Sequence, residues 1–254
     1  MNSVDTCVLV VPCFNEAARL DPAPFLGMLQ ARAGLSLLFV DDGSTDGTRA
    51  ALDALSAQDP FRISVLDLPS NGGKAEAVRQ GMLRALARGA ALAGYYDADL
   101  ATPPAEMLEI IRQLEERGVQ AAIGSRVALL GRRIERRAAR HYLGRVFATL
   151  ASAALQLPVY DTQCGAKVFR AGPALTAALA EPFISRWAFD VEIIGRLACG
   201  HPLASQANQP WIIEVPLREW RDVGASKLRA THMAAMLVDL GRIARDLRAR
   251  RRRR

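Results

Sequence analysis

The chain has 254 residues, half of them hydrophobic, enough for one substantial core, and no Ser-, Gly- or Pro-rich linker divides it. Its four cysteines, Cys7, Cys13, Cys164 and Cys199, form no CxxC pair, which excludes a zinc ribbon or a disulfide framework. The net charge of +7 is matched by Arg242 to Arg254 alone, with eight Arg and one Asp. No aromatic residues alternate with those Arg, which argues against a nucleic-acid partner.

Residues 7–11 predict a buried strand ending in Pro12-Cys13-Phe14-Asn15-Glu16. Its early start leaves no room for a signal peptide or N-terminal anchor, so a cytoplasmic location is expected. Asp21-Pro22 starts a helix over 22–32. A second strand, 36–41, runs into Asp41-Asp42-Gly43-Ser44-Thr45-Asp46-Gly47-Thr48, a Gly turn followed by a helix over 46–57. A third strand, 62–67, leads through Asn71-Gly72-Gly73-Lys74 into a helix over 74–88, whose first amides and Lys74 can face a phosphate. The loop lacks the spacing of a Walker A motif.

The fourth strand, 91–96, delivers Asp97 and Asp99 one residue apart. Alternate side chains of an extended chain share a face, and two hard oxygen ligands suit Mg2+ or Mn2+, with water and phosphate completing the shell. A helix over 104–117 follows Thr102-Pro103-Pro104, and a fifth strand covers 120–124. Repeated βα units imply a parallel sheet covered on both faces, with ligands beyond the carboxyl ends of its strands.

After Arg126 the pattern changes. Arg132, Arg136 and Arg140 recur every four residues with Arg133 and Arg137 alongside, which reads as a basic helix running into an apolar one through Leu155. A polar segment 161–170, another helix and a last strand, 211–215, follow. The segment 228–247 places Met233, Met236, Leu237, Leu240, Ile243 and Leu247 on one face and ends in the Arg run. Either amphipathic segment can pack on the sheet or lie in a membrane interface, where an anionic leaflet attracts Arg. The uncharged stretch after Arg145 is too short to span a bilayer. Only three lysines, Lys74, Lys167 and Lys227, stand against 30 arginines, so these positions are candidates for a compact ammonium.

Several segments together carry a family resemblance: residues 10–16, 40–48, Asn71-Gly-Gly-Lys74, Asp97-Ala-Asp99, Gly124-Ser-Arg126, Asp161-Thr-Gln-Cys-Gly165 and Trp187-Ala-Phe-Asp190. In this order they resemble an inverting family 2 glycosyltransferase of GT-A fold. Asp97-Ala-Asp-Leu-Ala-Thr-Pro103, Asp161 to Gly165 and Phe189-Asp-Val-Glu192 resemble the dolichyl-phosphate (polyprenyl-phosphate) β-glucosyltransferase branch more narrowly.

The resemblance implies an α/β fold: a Rossmann-like, mostly parallel sheet of the nucleotide-diphospho-sugar transferase type, flanked by helices, with appended amphipathic helices. The transferase domain would cover residues 1–227, including interface helices over 127–157, and 228–254 would be an amphipathic helix with an Arg-rich tail. It further implies a nucleotide-sugar donor, UDP-glucose, a polyprenyl-phosphate acceptor, and Mg2+ or Mn2+ on Asp97 and Asp99. Pro12, Asn15, Glu16, Asp41 and Asp42 would bind the nucleoside, with Lys74 and Asp97 nearby. Arg126 and Gln163 would line the sugar or phosphate site.

Asp190 would sit near the reacting centre, either orienting the acceptor or serving as a structural partner of Arg186 or Arg196, with Asp161 the second candidate. As a hypothesis, Arg132, Arg133, Arg136, Arg137 or Arg140 collect the lipid phosphate, at the inner face of the membrane. A GDP-mannose donor, a soluble sugar acceptor, and a basic membrane- or nucleic-acid-binding module are the alternatives. Gly224-Ala-Ser-Lys227 stands where the family more often has Gly-Ser-Lys.

Overall fold

A computed structural model describes residues 6–135, 138–200, 210–223 and 230–253. In chain order these form β1 (Cys7–Cys13), α1 (Pro22–Ala31), β2 (Leu35–Asp41), α2 (Thr48–Ser56), β3 (Ile63–Asp67), α3 (Lys74–Ala87), β4 (Leu92–Tyr96), α4 (Pro104–Arg117) and β5 (Ala121–Ser125). Beyond the fifth strand lie β6 (Arg133–Glu135), α5 (Ala138–Leu155), β7 (Ala166–Arg170), α6 (Pro173–Leu179), α7 (Phe189–Gly200), β8 (Ile212–Pro216), β9 (Glu219–Arg221) and α8 (Ala230–Arg252).

The main sheet has the order β3-β2-β1-β4-β7-β5-β8. Its strands are short apolar runs buried on both sides, the pattern of a sheet covered by helices on two faces. Alternation divides the side chains between two cores. Val10, Val40, Tyr95, Ile123 and Phe169 pack with α3, α5, α6, α7 and α8. Leu9, Val11, Phe39, Tyr96 and Val168 pack with α1, α2 and α4. Helix starts follow local chemistry: Asp21 Oδ1 accepts the Ala23 N–H at 3.0 Å beside Pro22, and α4 begins at Pro104.

Three expectations are corrected. The polar segment 161–170 contains a strand, β7, which runs antiparallel between β4 and β5 and so brings Asp161 to Gly165 to the carboxyl edge of both neighbours. The expected basic helix does not begin at Arg132. Gly131 turns the chain at φ +80°, and Arg133–Glu135 pairs with β9, Ile134 packing inward while Arg133 and Glu135 are exposed. The period is therefore two at that point, and Arg132 and Arg133 share no helical face with Arg140, which lies on α5. Arg136, Arg137, His201 to Gln209 and Lys227 lie outside the described residues.

The third correction concerns α8. Met236, Leu240, Ile243 and Leu247 are buried in the core beside α5 and α7, and Leu247 nests against Gly195, where a β-carbon would collide with it. Leu237, expected on that face, is exposed, as is Val238. Val146 and Leu150, one turn apart on α5, are exposed as well. No helix among the described residues is long and apolar enough to cross a membrane.

Candidate active site

The ends of β1, β2 and β4 meet at one edge of the sheet. After β1, Asn15 adopts φ 53°, and its side-chain Oδ1 accepts the Thr45 N–H at 2.9 Å, while its own N–H donates to Ser44 Oγ at 3.0 Å. The Glu16 N–H donates to Thr48 Oγ1 at 2.7 Å, and its carboxylate pairs with Arg19. Pro12 sits within β1 opposite Val40. These contacts lace the loop after β1 to the loop after β2.

Asp41 and Asp42, adjacent in sequence, do different work. Asp41 Oδ1 accepts the Ser44 N–H at 3.0 Å. Asp42 turns inward, its two oxygens accepting the Gly72 and Gly73 N–H groups at 2.8 Å each. Burial raises the Asp42 carboxyl above its ordinary range, and the two amides oppose that rise. Asp42 thereby anchors the Asn71-Gly-Gly-Lys74 loop, a role the sequence did not reveal. Gly43, at φ +67°, lies so close to this loop that a β-carbon would come within 2.7 Å of the Asn71 nitrogen. From the far side, Arg186 donates to Asn71 Oδ1 at 3.0 Å.

The anchored loop presents Lys74, the first residue of α3, to the end of β4. Lys74 Nζ lies 2.6 Å from Asp97 Oδ1, both side chains being about one-third exposed. Burial works to lower the Lys74 ammonium pKa, but the Asp97, Asp190 and Asp99 carboxylates outweigh it and hold it above the ordinary value. Asp99 Oδ1 accepts the Ala101 N–H at 3.1 Å. Burial, and then the Asp97 charge, raise the Asp99 carboxyl.

Asp97 also donates its N–H to the Gly165 carbonyl at 3.0 Å, and its carboxylate lies flat over Gly165, where a β-carbon would overlap it. The donor set fits a hard divalent cation: two neighbouring carboxylates that repel one another, at a ligand-binding sheet edge. No group of three or more His, Cys, Asp or Glu is gathered for a metal among the described residues, so the rest of such a shell would come from substrate oxygens and water.

Beyond β4, β7 contributes Lys167. It stands opposite Tyr95 in the ladder and is fully buried, with Nζ 2.5 Å from Asp190 Oδ1 and 5.1 Å from the Tyr95 ring centre. The Lys167 ammonium also donates to the Cys164 carbonyl. The Tyr95 hydroxyl donates to the same Asp190 oxygen at 2.5 Å. Asp190, in the first turn of α7, is thus fixed by a lysine and a tyrosine, while Arg196 pairs with Glu192 at 2.5 Å. Neither arginine considered from the sequence is its partner. Burial, together with Asp190, pushes the Tyr95 phenol far above its ordinary value.

The last part of the edge is Arg126 with Asp161. Arg126 donates Nε to Asp161 Oδ2 at 2.7 Å and Nη2 to Oδ1 at 2.8 Å, and its backbone N–H donates to Oδ2 at 3.0 Å. Glu214 holds the segment from behind by accepting the Tyr160 and Asp161 N–H groups at 2.8 Å each. With both oxygens engaged by a guanidinium, Asp161 orients Arg126 and is poorly placed as a general base. The Arg126 guanidinium lies 5.3 Å from the Trp220 ring centre. Gln163 Nε2 and Thr162 Oγ1 are buried without a protein hydrogen-bond partner.

Lys167, Tyr95 and Glu214 are site residues the sequence reading did not assign. The scarcity of lysine pointed toward Lys167, and a lone acid inside the apolar strand 211–215 was the available signal for Glu214. The cysteines stay outside the chemistry, since burial pushes the Cys7 thiol up to about 12 and raises Cys13 and Cys164 too.

A mostly parallel sheet with carboxylates and cations converging at the carboxyl ends of its strands defines a nucleotide-diphospho-sugar transferase of GT-A type. Residues 8–174 match the model of glycosyl transferase family 2, and the chain belongs to that family. It is 32% identical to a dolichyl-phosphate beta-glucosyltransferase of Trichomonas vaginalis, over 94% of this chain and 71% of that one. It is 26% identical to the polyprenol monophosphomannose synthase of Mycolicibacterium smegmatis, over 89% of this chain and 82% of that one.

Among solved structures, glucosyl-3-phosphoglycerate synthase of Mycobacterium tuberculosis with UDP superposes with a TM-score of 0.63, at 20% identity over 94% of this chain and 80% of that one. The same enzyme has been solved with Mn2+, UDP-glucose and phosphoglyceric acid, with a TM-score of 0.58 at 19% identity, over 97% and 78% of the chains.

Proposed function

We propose that this glycosyltransferase moves glucose from UDP-glucose to the phosphate of a polyprenyl phosphate, inverting the anomeric carbon. The observation that carries the reading is the row of groups along one sheet edge. Asn15 and Asp41 stand at the ends of β1 and β2, Lys74, Asp97 and Asp99 between α3 and β4, and Lys167, Asp190, Arg126 and Asp161 beyond them; in the proposed reading these serve the nucleoside, the diphosphate and the acceptor in turn. The dolichyl-phosphate beta-glucosyltransferase relative supports the choice of sugar and acceptor.

In this reading Asp41 keeps Oδ2 for a ribose hydroxyl or a base N–H, and Pro12 and Glu16 shape the same cradle. Asp97 and Asp99 would hold Mg2+ or Mn2+, which when bound neutralises charge on the departing diphosphate. Lys74 adds a second positive group there. Gln163 Nε2 and Thr162 Oγ1, which lack a protein hydrogen-bond partner, serve sugar hydroxyls or the acceptor phosphate. Arg126, held in a fixed plane by Asp161, suits bidentate contact with a phosphate.

The acceptor oxygen attacks C1 from the face opposite the leaving diphosphate. A phosphate acceptor is largely ionised near neutral pH, so little proton abstraction is required. Asp190, clamped by Lys167 and Tyr95, orients the acceptor. Arg132 and Arg133, beside the site through the pairing of β6 with β9, and Arg140, on α5, would help collect the lipid phosphate, together with Arg136 and Arg137.

We also propose that the protein sits peripherally on the inner, cytoplasmic face of an anionic membrane. The exposed Val146 and Leu150 of α5 and Leu237 and Val238 of α8 supply apolar contact. Arg245, Arg248 and Arg252, lining a shallow cleft at the end of α8, supply charge.

The test incubates pure protein with labelled UDP-glucose or GDP-mannose, Mn2+ or Mg2+, and a panel of polyprenyl phosphates, followed by extraction of the lipid phase. Metal-dependent label from UDP-glucose in that phase is expected. Label from GDP-mannose alone would establish the mannosyl reading suggested by the mycobacterial relative. No lipid-phase label from either donor would overturn the proposal.

A further inference from the structure

Lys74 occupies a place with a consequence for how the donor and its metal assemble. Its ammonium lies 2.6 Å from Asp97 Oδ1, one of the oxygens assigned to the divalent ion. The backbone below it cannot drift, because Asp42 clasps the Gly72 and Gly73 amides and Arg186 holds Asn71. The side chain is different. It is about one-third exposed, its ammonium pairs with the partly exposed Asp97, and its four-carbon stem can swing while its Cα stays fixed.

We propose that Lys74 is a resident cation that makes divalent-metal binding conditional on the nucleotide diphosphate. This rests on the assignment of Asp97 and Asp99 as the metal pair. Without nucleotide, Asp97, Asp99 and Lys74 carry one net negative charge, and an incoming divalent ion must displace or crowd the ammonium. A diphosphate arriving at the N-terminus of α3 offers Lys74 other oxygens. The ammonium moves to them, and both carboxylates become available together. The same positive group thus guards the carboxylates when the donor is absent and binds the donor when it is present. Free metal ions then do not fill the site ahead of the donor, and metal and nucleotide bind cooperatively.

Linkage makes this reciprocal: whatever factor UDP contributes to Mn2+ affinity, Mn2+ must contribute to UDP affinity. Removing the ammonium while keeping the side-chain volume separates the two roles. Lys74→Met removes the ammonium paired with Asp97 and leaves Arg19, which also acts on the two carboxylates, unchanged. Lys74→Arg keeps the charge.

The experiment measures Mn2+ binding to wild type, Lys74→Met and Lys74→Arg by electron paramagnetic resonance of the free ion, without and with saturating UDP. Thermal unfolding of each variant confirms the fold. The expected result is weak Mn2+ binding by wild type alone and strong binding with UDP. Lys74→Met should bind Mn2+ alone roughly tenfold or more tighter than wild type, with most of the UDP effect lost, and Lys74→Arg should keep the wild-type pattern. Equal Mn2+ affinity of wild type and Lys74→Met without UDP would overturn the inference while leaving the metal pair in place. No Mn2+ binding by any of the three, even with UDP, would overturn the metal assignment and the inference with it.

Discussion

Arg126 and Asp161 are joined by two parallel side-chain hydrogen bonds and a third from the Arg126 backbone, so that a planar guanidinium is presented at the sheet edge in one orientation. The Asp161 charge holds the guanidinium above even its ordinary high pKa, against the opposing effect of burial. Removing one partner from a buried pair leaves the other uncompensated, at about 3–5 kcal/mol. Asp161→Asn is therefore expected to lower stability by about 3 kcal/mol, read by denaturant unfolding. It should also raise the KM for the acceptor while leaving the pH dependence of kcat unchanged. A lost acid limb in that profile would instead make Asp161 a base.

A second expectation concerns pH. The Asp42 carboxyl is raised by burial, so the folded protein holds this proton to higher pH than the unfolded chain does. Stability from this group is then highest at acid pH and falls as pH rises from the ordinary carboxylate value of about 3.9 through the raised folded value. Asp42→Asn removes that slope but can accept only one of the two glycine amides, at a cost of about 2 kcal/mol. The stability gap between wild type and variant should narrow as pH rises through the weakly acidic window, measured by thermal unfolding at several pH values. A gap that widens would contradict the assignment.

Gly165 is the floor beneath Asp97. Gly165→Ala must push that carboxylate aside, although no bond to it is made or broken. Activity should fall by about two orders of magnitude, as for misplacement by about 1 Å, with circular dichroism unchanged and Mn2+ binding in the presence of UDP weakened. Activity within about twofold of wild type, well short of that loss, would show that Asp97 tolerates displacement.

For the membrane surface, replacing Arg245, Arg248 and Arg252 with Gln should weaken binding to anionic vesicles by about two orders of magnitude, at about 1 kcal/mol per Arg. Val146→Glu with Leu150→Glu should act similarly through the apolar patch. Transfer to a short, water-soluble prenyl phosphate should be unaffected in both. Vesicle sedimentation at two salt concentrations separates the contributions. Unchanged binding in both sets would remove this face from the membrane.

The first five strands and four helices were legible in the sequence because each strand is an apolar run bounded by Gly, Pro or Asp, and each helix has a start signal such as Asp21-Pro22 or Pro104. β7 was not. Ala166-Lys-Val-Phe-Arg170 is short, carries a buried lysine, and owes its place to strands far away in the chain. β6 was hidden by the four-residue recurrence of Arg, which mimics a helix.

At the site, the segments were legible but their pairings were not. Spacing placed Asp97 and Asp99 one residue apart, but the extended backbone expected between them is a turn, in which the Leu100 N–H donates to the Asp97 carbonyl at 3.3 Å. Spacing did not show that Lys167 meets Asp190 across 23 residues, or that Asp42 serves Gly72 and Gly73 about 30 residues on. Which cation a buried carboxylate meets is decided by strand order, and strand order is a property of the whole chain.

The antiparallel β7 has one more effect. Because it lies between β4 and β5, the strand bearing Asp97 and the strand bearing Arg126 stand two ladder spacings apart, roughly 10 Å. In the proposed reaction, a diphosphate leaving one strand end and a phosphate arriving at the other need room for a single sugar ring between them. That gap is a dimension of the backbone, so side-chain substitutions can retune which sugar and which acceptor are held without altering the distance across which they meet.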